Sequence, residues 1–176
     1  MKRFAEIISN LFPYWFILST ALLFKNIVEI ILIGAIPCIL WVLYAKLKNQ
    51  QWDIEDRAPR ITPLVLLIGY GFLIYPIIDH GYLMIIFFIN LIIISIITFF
   101  WKISIHCYGS STMLILLAYK YYGDSTIFFI ALVFNLLIII STMWARLYLN
   151  KHTKLQVGIG ALLGLIINII LIATTT

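Results

Sequence analysis

The chain has 176 residues, of which 64% are hydrophobic and only 11% charged. A soluble domain carries about 25% charged and about 45–50% apolar residues, so no soluble fold can hide this much apolar surface and lipid must be the solvent for most of it. The net charge of +5 does not point to nucleic acid, because the basic residues sit at the ends of apolar segments and form no stripe of the kind a duplex needs. A mass of 20.3 kDa and a mean hydropathy of +1.10 predict an all-α, polytopic transmembrane helical bundle, with residues 1–176 forming a single integral domain.

The chain opens with "MKRFAEIISNLFPYWFILSTALLF", basic residues before an apolar run, as in a signal peptide. It has no small-residue cleavage site and further apolar segments follow at once, so it reads as retained. Within it, 11–24 is shorter than the about 20 residues a span needs, and it carries Pro13. It is either a short span or a re-entrant or interfacial helix. Runs near 27–46, 61–79, 82–101, 103–121, 125–144 and 156–174 have the required length and composition. The expectation is about six spanning helices plus a short N-terminal apolar helix. The tight connections "DHGY" (79–82) and "KYYGD" (120–124) make neighbouring helices antiparallel. In "GIGALLG" (158–164), Gly160 and Gly164 stand four apart on one helix face, which lets another helix approach closely; bundle packing explains that without any function. Asn90, Asn135 and Asn168 lie mid-span and read as interhelical hydrogen-bond partners. Trp52, Trp101, Trp144 and Tyr148 read as interfacial anchors. Cys38 and Cys107 have neither metal-type spacing nor the look of a disulfide framework.

Along this path, three polar stretches return to one membrane face: the loop 47–60, "WKISIHCYG" (101–109) and "ARLYLNKHTKLQ" (145–156). If 11–24 spans, that face carries Lys2, Arg3, Lys46, Lys48, Arg57, Arg60, Lys102, Arg146, Lys151 and Lys154, against Lys25 and Lys120 on the other. The positive-inside rule accounts for such an asymmetry at a cytoplasmic face. It does not account for the histidines, serine and glycine at matching positions. His80 matches no pattern and reads as structural.

The third stretch has the form A-R-x5-H-x3-Q, with Arg146, His152 and Gln156. The second reads I-S-I-H, with Ser104 and His106 just inside a helix start, Lys102 before them and Gly109 after. The first, "DIEDRAPRITP", offers Arg57, Arg60 and Pro63, with Lys48 upstream. From about 46 to 165 this resembles the type 2 phosphatidic acid phosphatase family of membrane lipid phosphatases. Its signatures are K-x6-R-P, P-S-G-H and S-R-x5-H-x3-D. Both spacings of the third signature are kept. In the second, Ile103 and Ile105 replace proline and glycine. In the first, eight residues separate Lys48 from Arg57 where the family has six, so the cradle comes either from Lys48 or from Arg57 and Arg60.

The chemistry suits those residue types. Phosphoryl transfer needs fixed positive charge around the equatorial oxygens, and the guanidinium fork supplies bidentate bonds to phosphate. Arg57 or Arg60, Lys102 and Arg146 form such a cradle, Ser104 adds a donor, and Gly109 lets phosphate near the backbone. The resemblance implies that His152 is the nucleophile of a phosphohistidine mechanism and that His106 protonates the leaving oxygen. It also implies a lipid phosphate as substrate and neither metal nor cofactor. "DIED" (53–56), the nearest carboxylate cluster, reads as an exposed acidic loop. The family's aspartate is Gln156 here, which at i+4 can face His152 and set its tautomer without stabilising an imidazolium by charge.

Overall fold

The structure is a computed structural model that describes residues 1–24, 26–78 and 81–175. His80, Lys25 and the start of the turn at 79–82 lie outside the described residues. In chain order the helices are α1 (Lys2–Asn10), α2 (Phe12–Leu23), α3 (Ile27–Glu29), α4 (Ile36–Leu47), α5 (Arg57–Ile74), α6 (Tyr82–Phe100), α7 (Ile105–Lys120), α8 (Ser125–Tyr148) and α9 (Lys154–Thr175). Among the described residues, six stretches are long and apolar enough to cross a membrane: Lys2–Leu23, Ile27–Leu47, Arg57–Ile77, Tyr82–Phe100, Ser125–Tyr148 and Lys154–Thr174. The fold is therefore the expected all-α, multi-span type. By Cα packing it falls into two compact units, Met1–Leu23 with Ile103–Thr176, and Phe24–Lys102.

Two of the expected segments differ from their sequence reading. The N-terminal segment is longer than 11–24, because α1 and α2 follow each other with only Leu11 between them. Leu11 and Trp15 keep helical hydrogen bonds across that joint. Pro13 has no N–H to return to Ser9, and this interrupts the ladder. Conversely, α7 has only 16 residues, about 24 Å at 1.5 Å per residue, short of a hydrocarbon core of about 30 Å. Ten of its residues are buried, among them Ser110, Ser111 and Thr112, so it is the enclosed helix of its unit.

In the first unit, α7 packs against α2, α8 and α9, and α1 packs against α8. The α7–α9 contact is close because of two glycines. A Cβ on Gly160 would stand 2.9 Å from the Ser104 carbonyl oxygen, and one on Gly164 would collide with the Tyr108 carbonyl oxygen. Asn168 on α9 donates to Thr112 Oγ1 on α7 (3.0 Å) and to the Gly164 carbonyl (2.7 Å). In lipid no hydrophobic force separates helix from tail, so close packing and such polar bonds carry association. Asn135 differs from expectation: its Nδ2 donates to Ala131 of its own helix at 2.7 Å. Asn90 donates to Ile86, four residues back, at 2.8 Å. The far end of α2 is fastened by Lys120, whose Nζ donates to the Leu22 and Leu23 carbonyls at 2.6 Å each, while Tyr121 Oη donates to Leu22 at 2.8 Å. Those carbonyls lack helical partners at a C-terminus.

In the second unit, α3 runs into α4 through a π-helical stretch, Ile30–Ala35. Pro37 cannot donate to Ile33, and the Ile36 N–H bonds instead to Ile31, five residues back, the wider π turn. Helix α4 ends on Asn49 with φ of 52°. There Asn49 donates to Lys46 and Gln50 to Ala45, the paired bonds of a Schellman cap. Helices α5 and α6 pack together, with Phe88 filling the space beside Gly71.

Candidate functional site

The third motif is built by a helix–turn–helix. Arg146 lies in the last turn of α8. Asn150 takes φ of 54°, its N–H donates to Leu147, and the Lys151 N–H donates to the Arg146 carbonyl. This Schellman cap reverses the chain and places His152 directly before the start of α9. There Thr153 and Gln156 form a reciprocal pair: the Gln156 N–H donates to Thr153 Oγ1 (3.3 Å), and the Thr153 N–H donates to Gln156 Oε1 (3.1 Å). That is a capping box. The five residues between Arg146 and His152 are thus one cap and turn, and the three between His152 and Gln156 are one turn of helix.

The same oxygen fixes the histidine. Gln156 Oε1 lies 3.1 Å from His152 Nδ1. A backbone N–H can only donate, so the Gln156 atom facing Thr153 must be its carbonyl oxygen, and the His152 nitrogen facing that oxygen must carry hydrogen. Neutral His152 is therefore protonated at Nδ1, and its lone pair lies on Nε2. The ring is buried, at 6% exposure.

The second motif lies beside the third. The Ser104 N–H donates to the Gln156 carbonyl at 3.4 Å, and Gly160 faces the Ser104 carbonyl. Ser104 is the N-cap of α7 and accepts from the Cys107 N–H at 3.5 Å, while its hydroxyl donates to Cys107 Sγ at 3.2 Å. The sequence pattern suggested this serine as a phosphate donor; here its oxygen is engaged in starting the helix. His106, in the first turn of α7 and buried, packs against the ring of Phe12, with centroids 4.3 Å apart. Gly109 meets the same ring, since a Cβ there would stand 3.0 Å from Phe12 Cζ. The room beside this glycine holds an aromatic side chain, which favours packing over a phosphate approach.

Arg146 is fully buried, and its Nη1 donates to Ser9 Oγ on α1 at 2.9 Å. His152, His106, Arg146, Ser104, Gln156 and Gly109 thus all belong to the first unit. Lys48, Arg57, Arg60 and Lys102 belong to the second. In that unit Arg57 Nη1 donates to the Phe99 and Phe100 carbonyls (2.9 and 2.7 Å), closing the C-terminus of α6. Arg60 is buried, and its Nε and Nη2 donate to the Ile54 and Glu55 carbonyls (2.6 and 3.1 Å). Arg57 and Arg60 of the expected cradle therefore both brace backbone. Lys48 is exposed at the end of α4, and Lys102 is half-buried. The acidic segment also differs from its reading as an exposed loop: Asp53 is buried, at 4% exposure, whereas Glu55 and Asp56 are exposed.

Three participants have no place in the sequence motifs. Thr153 was legible, because T-x-x-Q before an apolar run is a capping-box pattern. Ser9 and Phe12 carry no such signal, since their partners stand 137 residues away in one case and across a helix interface in the other. The chain matches no protein-family profile, no curated protein and no solved structure.

Proposed function

We propose that this protein is an integral membrane lipid phosphatase of the type 2 phosphatidic acid phosphatase kind. It removes phosphate from a lipid phosphomonoester, or one phosphate from a lipid pyrophosphate. The observation that carries the reading is the hydrogen-bond arrangement at Gln156, which places the His152 lone pair on Nε2. A nucleophilic histidine needs that tautomer. In the reaction, Nε2 attacks phosphorus and the lipid alkoxide leaves with a proton from His106. Water then attacks the phosphohistidine, giving its proton to His106. Arg146 is the motif arginine of the same unit and the natural partner for the equatorial oxygens. The motif stretches are short and most of the chain is membrane helix, so small head groups fit best: phosphatidate, phosphatidylglycerol phosphate or a polyprenyl phosphate or pyrophosphate. The excess of lysine and arginine on the motif side favours a cytoplasmic orientation in a cytoplasmic membrane.

A second reading is a phospholipid-binding or transport protein that keeps the anion-binding residues without turnover. The capping box favours it, because α9 needs Gln156 whether or not His152 reacts. The deciding experiment is phosphate release by purified protein in detergent, with and without EDTA, over those lipids and with His152→Ala as control. EDTA-resistant release that vanishes in the variant supports the phosphatase. No release from any lipid, together with orthovanadate that still binds, hands the site to the second reading.

A further inference from the structure

We infer that the N-terminal helices are a gate on this site, closed by Ser9 and Phe12. The inference rests on the lipid-phosphate reading for the identity of what opens it. Ser9 and Phe12 stand where a substrate must stand. The Ser9 hydroxyl takes a donor of the buried Arg146 guanidinium (2.9 Å), and Ser9 itself is 1% exposed. One turn on, the Phe12 ring covers His106 and Gly109. Hydroxyl and ring together imitate a phosphorylated lipid, one filling an acceptor position and the other an apolar one.

The segment is built to move at one end only. Helix α2 is fastened at its C-terminus by three hydrogen bonds from Lys120 and Tyr121. At the other end Pro13 interrupts the hydrogen-bond ladder beside Leu11, and such interruptions are where helices bend. Beyond that joint α1 has two buried residues, Ala5 and Ser9. Its contacts with α8 include the Ser9–Arg146 bond and Phe4 against Trp144, with centroids 5.9 Å apart. A phosphate monoester outcompetes a neutral hydroxyl for a guanidinium, since it adds the attraction of a full opposite charge and can take two parallel N–H donors where the hydroxyl takes one. The lipid's glycerol and acyl carbons then replace the Phe12 ring. Opening is thus an exchange of like contacts, triggered by the anion, in which α1 swings about Leu11–Pro13 while α2 stays anchored.

The test is a distance measurement by double electron–electron resonance on full-length protein, with spin labels at Ile7→Cys and Leu155→Cys in a Cys38→Ala background. Ile7 and Leu155 are exposed, whereas Cys107 is fully buried and stays unlabelled. Distances are taken with no addition, with orthovanadate, with short-chain phosphatidate, and in a Ser9→Ala version; vanadate and lipid binding are titrated in parallel. A second, longer population in Ser9→Ala, and in the wild-type segment once either anion is bound, supports the gate. The longer population in Ser9→Ala without anion binding supports the moving helix but rejects the lipid-phosphate reading. Anion binding with one unchanged population in all samples overturns the gate and leaves that reading standing. One unchanged population without binding overturns both.

Discussion

Replacing Gln156 by glutamate tests the chemistry with little change to the fold. A capping box accepts either residue at this position, so one carboxylate oxygen keeps the bonds to the Thr153 N–H and to His152 Nδ1, both 3.1 Å in the native chain. What changes is charge. On the proposed mechanism, phosphorylation at Nε2 turns the ring into a cation, and glutamate places a negative charge within about 4 Å of it. With an effective dielectric of about 20, that attraction is about 4 kcal/mol. Gln156 is only half-buried, so solvent screening reduces the useful part to about 1.4–2.8 kcal/mol. That is about 10- to 100-fold in rate. For comparison, the serine-protease triad loses about 10⁴ in rate when its aspartate becomes asparagine. The assay is phosphate release from the best lipid substrate under saturating and sub-saturating conditions. The gain should appear in kcat as well as kcat/KM, because the charge develops in the transition state. A Gln156→Glu protein with unaltered melting temperature and kcat within two-fold of the native value would refute the role of His152 as nucleophile.

Other outcomes follow from packing and capping. Gly164→Ala drives a methyl into the Tyr108 carbonyl and should cost about 1–3 kcal/mol, read as a lower thermal midpoint in detergent. Gly158 faces open space, so Gly158→Ala should leave that midpoint equal or higher, with helix propensity offering up to about 1 kcal/mol. Lys120→Met removes two hydrogen bonds from the end of α2 and should cost about 1 kcal/mol after allowance for partial exposure. Hydrogen exchange should show the loss first in the last turn of α2. A double-mutant cycle of Asn168→Ala with Thr112→Val should give a coupling of about 0.6 kcal/mol, the usual size of an interhelical hydrogen bond in lipid; a coupling near zero would mean that the pair does not fix α7 against α9.

The sequence by itself determined the solvent and the class of fold. Composition decided this: only helices and closed barrels satisfy every backbone group in lipid, and continuous apolar runs of helix-spanning length lack the alternation of barrel strands. It also determined local events that depend on neighbours in the chain. The Gly160 and Gly164 spacing marked the face where α7 and α9 meet. The interval from Arg146 to His152 is the length of a cap and turn, and that from His152 to Gln156 is one helical turn. Only the tertiary structure decided what the arginines do. Nothing local to Arg57 announces that its Nη1 donates to the Phe99 and Phe100 carbonyls on another helix of its unit, because a guanidinium can donate to a carbonyl as well as to a phosphate. Ser9 and Phe12 are the same case from the other side. A small hydroxyl and an apolar ring in a run of apolar residues carry no pattern of their own, and their partners, Arg146 and His106, reach them only once the helices pack. For the same reason Asn168 bonds across to α7 while Asn135 turns back on its own helix. Their side chains are identical, and what differs is whether a polar group stands opposite on the neighbouring helix.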